Sequence, residues 1–273
     1  MEWRACMTVT VADLIDIMDQ IAPPDLAEEW DNAGLQIGRK DWPVKRVWVS
    51  LDPIPLVVSA ACDAGIDLLI THHPLIFKAP KSIDFATPLG RIIQQSACCR
   101  LSIYSAHTNL DAAADGINDI LADQLKMTDT IPLVEGSAGT GTGIGRVGTL
   151  ARPTTLGALA REIKETIKVP ALKYTGSKDL PVRRAAVCSG SGSSLMGAFF
   201  ASGADVYVSG DLKYHDARDV EAAGLGLIDV GHFASEHLIV DILVERLTAE
   251  AKKRSMPLSI EACPLETDPF VSI

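Results

Sequence analysis

No apolar run reaches the length of about 18 residues that a membrane-crossing helix needs. The first residues also lack the basic-then-apolar order of a secretory signal, and a cytoplasmic protein is expected. Because nothing before Met7 fits a periodic pattern, Met7 is the expected start. The six cysteines (Cys6, Cys62, Cys98, Cys99, Cys188, Cys263) form no C-x-x-C pair and no regular framework. That spacing argues against a disulfide scaffold or a thiolate zinc site. Several of them fall inside expected helices or strands, where a thiol acts as a small apolar filler, and a reduced compartment is the simplest reading. Basic charge is short: 25 Lys and Arg against 35 Asp and Glu leave a net charge of −10. Such a balance argues against a broad electrostatic grip on nucleic acid. No H-E-x-x-H string occurs, so a metalloprotease is not indicated, and no repeat appears at solenoid periods.

What is present is a globular composition, 47% apolar and 22% charged, over 273 residues. That length suits two domains or one large α/β domain. Thr10 has the place of an N-cap with Asp13 as capping-box acid. Leu14, Ile15, Ile17, Met18 and Ile21 then recur at helical spacing, and Pro23-Pro24 stops that helix. The string Trp30 to Gly38 is a loop entering a strand. A strand over Arg46 to Leu51, a helix over Pro53 to Ala64, a strand at Leu68-Leu69-Ile70, a helix over Pro88 to Cys99 and a strand over Leu101 to Ser105 follow. This alternation predicts a parallel sheet with right-handed crossovers.

The run Ser137 to Gly143 is a domain boundary or an exposed hairpin. Beyond it the pattern predicts strands at Arg146 to Leu150, Leu172 to Tyr174, Arg184 to Cys188, Ala204 to Ser209 and Leu225 to Val230. Helices are expected over Thr155 to Ile167 and through Leu195, Met196 and Phe199, with a long closing helix. The expected fold is α/β, two related domains with mainly parallel sheets flanked by helices. Residues 1–128 with 229–273 would form the larger domain, which holds most of the candidate ligands named below, and 129–228 a smaller one. The Ser189 to Ser194 turn could offer N–H groups to an anion. It lacks a P-loop lysine, and a plain strand-to-helix turn is the simpler reading.

Three expected strands end in residues of ligand type: His72 and His73, then His107 and Asp111, then His232 and Glu236. Binding sites in open α/β sheets form at that edge. Side chains of adjacent residues on an extended segment point to opposite faces, so His72 and His73 cannot share one core layer. Pro74 keeps a helix from absorbing them. His232 and Glu236, four apart, stack on one helical face. Alone, each pair is an ordinary loop or helix start. Together with His215, five of the six histidines lie just past strand ends. Imidazoles with carboxylates suit Zn, Mn, Fe or Co. About five ligands exceed one catalytic metal's need, and a carboxylate such as Asp111 can bridge two ions ~3.5–4 Å apart.

The strings Trp30-Asp31-Asn32 with Gly34-Leu35 and Gly38, Thr71-His72-His73-Pro74-Leu75-Ile76-Phe77, His107-Thr108-Asn109-Leu110-Asp111 and Gly231-His232-Phe233-Ala234-Ser235-Glu236 occur in that order. In them the chain resembles the GTP cyclohydrolase 1 type 2 homologue family, also called NIF-three-like, nearly end to end. The resemblance implies two divalent ions per chain (Zn, Fe or Mn) held by His72, His73, Asp111, His232 and Glu236, with His107 beside them. It also implies two related α/β domains and a ring-shaped homohexamer. Asp211 departs from the pattern, where similar sequences often carry Glu, which leaves the His215 segment less defined.

Two readings follow. One is a metal-dependent hydrolase in which His107 or His215 shuttles a proton, with a purine nucleotide as the substrate that the resemblance implies. The other is a metal-handling protein (metallochaperone or store) or a regulatory scaffold, without turnover. Ligand identity alone does not separate them.

Overall fold

The computed structural model describes residues 8–136, 139 and 141–271. The expected start at Met7 and the Cys6 thiol lie outside the described residues, as do Ser137, Ala138 and Thr140 of the glycine-rich run. In chain order the first elements are α1 (Val11–Ile21), β1 (Gly34–Ile37), β2 (Arg46–Ser50), α2 (Pro55–Asp63), β3 (Leu68–Thr71), α3 (Pro88–Cys99) and β4 (Ser102–Ser105). Next come α4 (Thr108–Ala112), α5 (Ile117–Gln124), β5 (Met127–Glu135), β6 (Gly143–Thr155), α6 (Leu156–Ile167), β7 (Lys173–Thr175) and β8 (Pro181–Ser191). The rest are α7 (Met196–Ala201), β9 (Val206–Gly210), α8 (Tyr214–Ala222), β10 (Gly226–Asp229), α9 (His232–Glu236), α10 (Leu238–Lys253) and β11 (Ser259–Ala262). Among the described residues no helix is long and apolar enough to cross a membrane.

The chain forms two compact units. One runs to Leu110 and resumes at Ile239–Glu266; the other takes Asp111–Leu238 and the residues from Thr267.

The first unit is built on a sheet of order β1-β4-β3-β2-β11. All its pairs are parallel except β1 with β4. Every residue of β3 is buried, as a central parallel strand with both faces covered requires. On one face, Val57 and Val58 of α2 and Ile92 of α3 pack against Trp48, Leu69 and Ile103 of the sheet. Each such side chain contributes roughly 1.5–3 kcal/mol on burial. The capping box at Thr10 forms as the sequence implies, with its N–H and Oγ1 both donating to Asp13 Oδ2 at 2.7 and 2.8 Å. Thr87 caps α3 by accepting from the Gly90 N–H, ahead of Pro88 at the first helical position. One correction concerns the thiols. Cys62 on α2 and Cys99 on α3 are joined in a disulfide, where the sequence pattern treats them as apolar filler. The two helices lie side by side on the sheet and bring the two Cα atoms to 5.8 Å, within bridging range.

The second unit holds a six-stranded sheet of order β5-β6-β8-β9-β10-β7. It is mixed: β8-β9-β10 are parallel, while β5, β6 and β7 pair antiparallel with their neighbours. The glycine-rich run joins β5 to β6, and the Gly136 N–H bonds to the Thr142 carbonyl, so the hairpin alternative is the one realised around it. Side-chain alternation feeds two cores. Val187, Val208 and Ile228 face Leu159 and Ile163 of α6, and Ala186, Tyr207 and Leu227 face Phe199 and Val220 of α7 and α8. Arg146 is fully buried in β6. It is satisfied by the Asp119 carboxylate and the carbonyls of Ala113, Gly143 and Gly145. A buried charge persists only when paired and hydrogen-bonded in this way.

Candidate metal centre

In the first unit, the carboxyl ends of β2, β3 and β4 deliver the chemistry. The His72 and His73 N–H groups continue the ladder past β3, donating to the Ser50 and Leu51 carbonyls at 3.2 and 2.9 Å. Thr71 Oγ1 donates to the His73 carbonyl at 2.8 Å and fixes the turn. His72 is fully buried, and its Nδ1 lies 2.9 Å from the Ala106 carbonyl. His73 Nδ1 lies 2.8 Å from Asp52 Oδ1, and His107 Nδ1 lies 2.8 Å from Asp31 Oδ1. An acceptor at Nδ1 requires the proton there, which makes Nε2 the nitrogen with the lone pair in each neutral ring. Metal-ligating histidines are held in this way by carboxylates or carbonyls. Potential ligand atoms of His72, His73 and His107 all lie within 4.8 Å of one another.

Partners that the sequence pattern did not single out hold these rings. The Leu51 and Asp52 N–H groups both donate to the Glu266 carboxylate at 2.8 Å, which fixes the backbone that presents Asp52. Asp31 accepts from the Thr108 N–H at 3.0 Å and from its hydroxyl at 2.5 Å. Burial pushes the Asp31 carboxyl up, yet the bonds from His107 and Thr108 win and hold it well below the usual carboxylate range. Asn109 accepts from the His107 N–H and donates to the Ala22 carbonyl, so each polar residue of His107-Thr108-Asn109 has a positioning task. Trp30 and Phe77, both exposed, lie 6.0 and 6.3 Å from the His107 ring. Asn32 Nδ2 donates to the Ile76 carbonyl at 2.6 Å and ties the Trp30 loop to the His72-His73 loop.

In the second unit, α9 begins right after β10, and His232 Nε2 lies 2.9 Å from Glu236 Oε2, one turn on. His232 Nδ1 lies 2.7 Å from Asp211 Oδ2. With Asp211 at Nδ1, the short contact between Nε2 and Glu236 requires a proton shared between them or a cation in its place. Glu236 is buried, and its carboxylate and that of Asp111 offer oxygens within 4.8 Å of each other. Asp111 is itself held: Ser189 Oγ donates to Oδ1 at 3.3 Å, and Asn118 Nδ2 donates to its carbonyl. Of the Ser189 to Ser194 run, Ser189–Ser191 still belong to β8, and the Ser189 and Gly190 N–H groups are taken up by Asn118 Oδ1 and Ser235 Oγ, so these two are not offered to an anion. Gly190 has φ +61, and a Cβ there would strike the Glu236 carboxylate and come within 3.3 Å of His232 Nε2. Glycine is required because the backbone itself approaches these two groups.

His215 stands apart. It is exposed on the first turn of α8, with its ring 5.5 Å from Tyr214, and no potential ligand cluster among the described residues includes it. Burial, then the nearby Asp111 charge, pushes the Cys188 thiol up to about 12, so Cys188 is a protonated core residue. Asp52 and Asp211 were findable by the rule that singled out the histidines, since they lie just past the carboxyl ends of β2 and β9, whereas Asp31 lies in the loop before β1.

A family model described as Duf34/NIF3 (NGG1p interacting factor 3) matches residues 9–269. A Clostridium acetobutylicum protein named "GTP cyclohydrolase 1 type 2 homolog" is 33% identical over 265 residues, covering 97% of this chain and 99% of its own. A Nostoc protein of the same name is 37% identical over 240 residues, covering 87% of this chain and 90% of its own. A Bacillus cereus protein related to NIF3 has a crystal structure that superposes with a TM-score of 0.90 at 25% identity, covering 97% of this chain and all of that one.

Proposed function

Since this chain belongs to the Duf34/NIF3 (NGG1p interacting factor 3) family, we propose that it is a metal-dependent hydrolase that uses two divalent ions, Zn, Fe or Mn. His72, His73, Asp111, His232 and Glu236 supply the ligands. The observation that carries this reading is the uniform engagement of Nδ1. His72, His73 and His232 each turn that nitrogen to a carbonyl or carboxylate, which orients Nε2 for a ligand. Bound divalent ions supply acidified water and polarisation of the bond under attack.

The remaining work falls to protein side chains. His107, held through Nδ1 by Asp31, accepts and returns a proton at Nε2; His215, exposed, is the second candidate for that task. Trp30 and Phe77 give an exposed aromatic wall beside His107, suited to a planar substrate. The relatives' name, "GTP cyclohydrolase 1 type 2 homolog", directs the choice of substrate to purine nucleotides. The working form in this reading is a cytoplasmic homohexameric ring.

A second reading, metal delivery or storage, is favoured by one observation. The Asp52 and Asp211 side chains that orient His73 and His232 are 39% and 48% exposed, which suits ready ligand exchange. The deciding experiment screens nucleotides with metal-loaded and metal-stripped protein. Turnover confined to the loaded protein is expected. No turnover on any nucleotide, with bound metal passing quickly to a competing chelator, would overturn the hydrolase reading in favour of the second.

A further inference from the structure

The second unit carries a cavity of about 290 Å³ between the β7-β10 edge of its sheet and α8. Its size sits near the lower end of small-molecule sites, roughly 300–1,000 Å³. Lys173 and Asp229 face each other across the β7-β10 pair, and Leu227 lies on the same face as both. Lys213 and Tyr214 come from the start of α8, whereas Tyr174, paired with Ile228, lines the rim from β7 with its side chain on the other face of the sheet. Leu212 and Ala217 join Leu227 in an apolar floor that continues into the core.

Charge and shape select the ligand. Two lysines against one carboxylate leave the lining at 2 − 1 = +1, in a chain whose net charge is −10. Among the described residues, neither Lys173 nor Lys213 forms a close salt bridge. Large aromatic rings that are left in water beside a cavity offer stacking faces, and Tyr214 is 71% exposed. Asp229 accepts from the Gly231 N–H at 3.0 Å and retains acceptor capacity for an N–H on a ring. Burial raises its carboxyl, so a donor or cation there is favoured.

We propose that this cavity binds a nitrogen-containing aromatic ring that bears one anionic group. The ring lies against Tyr214 with an N–H towards Asp229, and Lys213 and Lys173 hold the anion. A nucleoside monophosphate has this chemistry. The lining adjoins the His232 segment in the chain: Leu212 and Lys213 directly follow Asp211, which lies 2.7 Å from His232 Nδ1, and Asp229 precedes His232 by three residues. The inference therefore extends the hydrolase reading to its substrate class. It is tested without metal, so that its failure is distinguishable from failure of that reading.

The experiment is calorimetric titration of the metal-stripped full chain with guanosine 5′-monophosphate, guanosine and inorganic phosphate. Saturable binding of the monophosphate, about tenfold tighter than either fragment, is expected. Lys213→Met should weaken the monophosphate about tenfold and leave guanosine unchanged, whereas Tyr214→Ala should weaken both. Both residues are exposed, and circular dichroism verifies that the variants remain folded. Phosphate binding as tightly as the monophosphate, no saturation by the monophosphate, or folded variants that bind like the parent would each overturn the assignment.

Discussion

Asp52→Ala removes the acceptor that orients His73 and little else. Asp52 Oδ1 lies 2.8 Å from His73 Nδ1, with the Asp52 side chain 39% exposed. An ion pair this open contributes about 0–1 kcal/mol to stability. Losing a ligand's orienting partner, in contrast, costs about 10- to 100-fold in metal affinity, or about 1.4–2.7 kcal/mol. The two effects are separable, because the Asp52 backbone stays fixed through its N–H to Glu266. The assay is competition for Zn or Mn against a chromophoric chelator, paired with thermal unfolding of the metal-free protein. Affinity should fall by the stated factor while metal-free unfolding moves little. Asp52→Asn, whose side-chain oxygen can still accept from Nδ1, should keep most of the affinity. Parent-like affinity in Asp52→Ala would refute the reasoning, as would a metal-free protein that no longer folds.

Three further outcomes follow from the same contacts. Gly190→Ala puts a Cβ at φ +61 against Glu236, so denaturant unfolding should show a loss of at least about 1–2 kcal/mol together with lower metal uptake; unchanged uptake would contradict the close approach. Asp111→Asn should cost both ions if Asp111 bridges, whereas His73→Ala should mainly weaken one; equal, mild losses measured by elemental analysis would contradict the bridging role. Asp31→Asn should lower stability at neutral pH by about 1–3 kcal/mol, since it breaks hydrogen bonds to a buried charge. The folded Asp31 carboxyl is held low, so its contribution is present above the unfolded value of about 3.9 and fades as pH falls through the lower folded value. The gap between parent and variant should therefore narrow only below about pH 4, and a gap that widens on acidification would contradict the assigned direction.

Much of the α/β core is legible because its strands are buried on both faces and read as apolar runs. Leu68-Leu69-Ile70 became a strand that continues to Thr71, and the Leu225 to Val230 segment one trimmed by a residue at each end. What escaped was edge structure. β5 runs through Thr128-Asp129-Thr130, largely exposed, and β11 is half-exposed, so neither shows the hydrophobic pattern of a core strand. The disulfide escaped because its cysteines lie 37 residues apart on two different helices, a proximity that only packing creates. At the site, the histidines stood out by rarity and by position past strand ends. Asp31, Asp52 and Asp211 are three among 35 acidic residues; Asp52 and Asp211 share the histidines' position past strand ends, but Asp31 lies before β1 and reaches His107 only through the fold. Gly190 sat in a turn whose glycines suggested an anion site. Its task, admitting the Glu236 carboxylate, depends on a helix 40 residues away and more in sequence.

The central claim, a pair of divalent ions held by His72, His73, Asp111, His232 and Glu236, meets its most direct test in elemental analysis. Protein purified without chelator, and again after supplementation with Zn, Mn or Fe and removal of loose metal, should approach about two ions per chain. A content that stays near zero after supplementation would contradict the metal site, and one fixed near a single ion would contradict the pair.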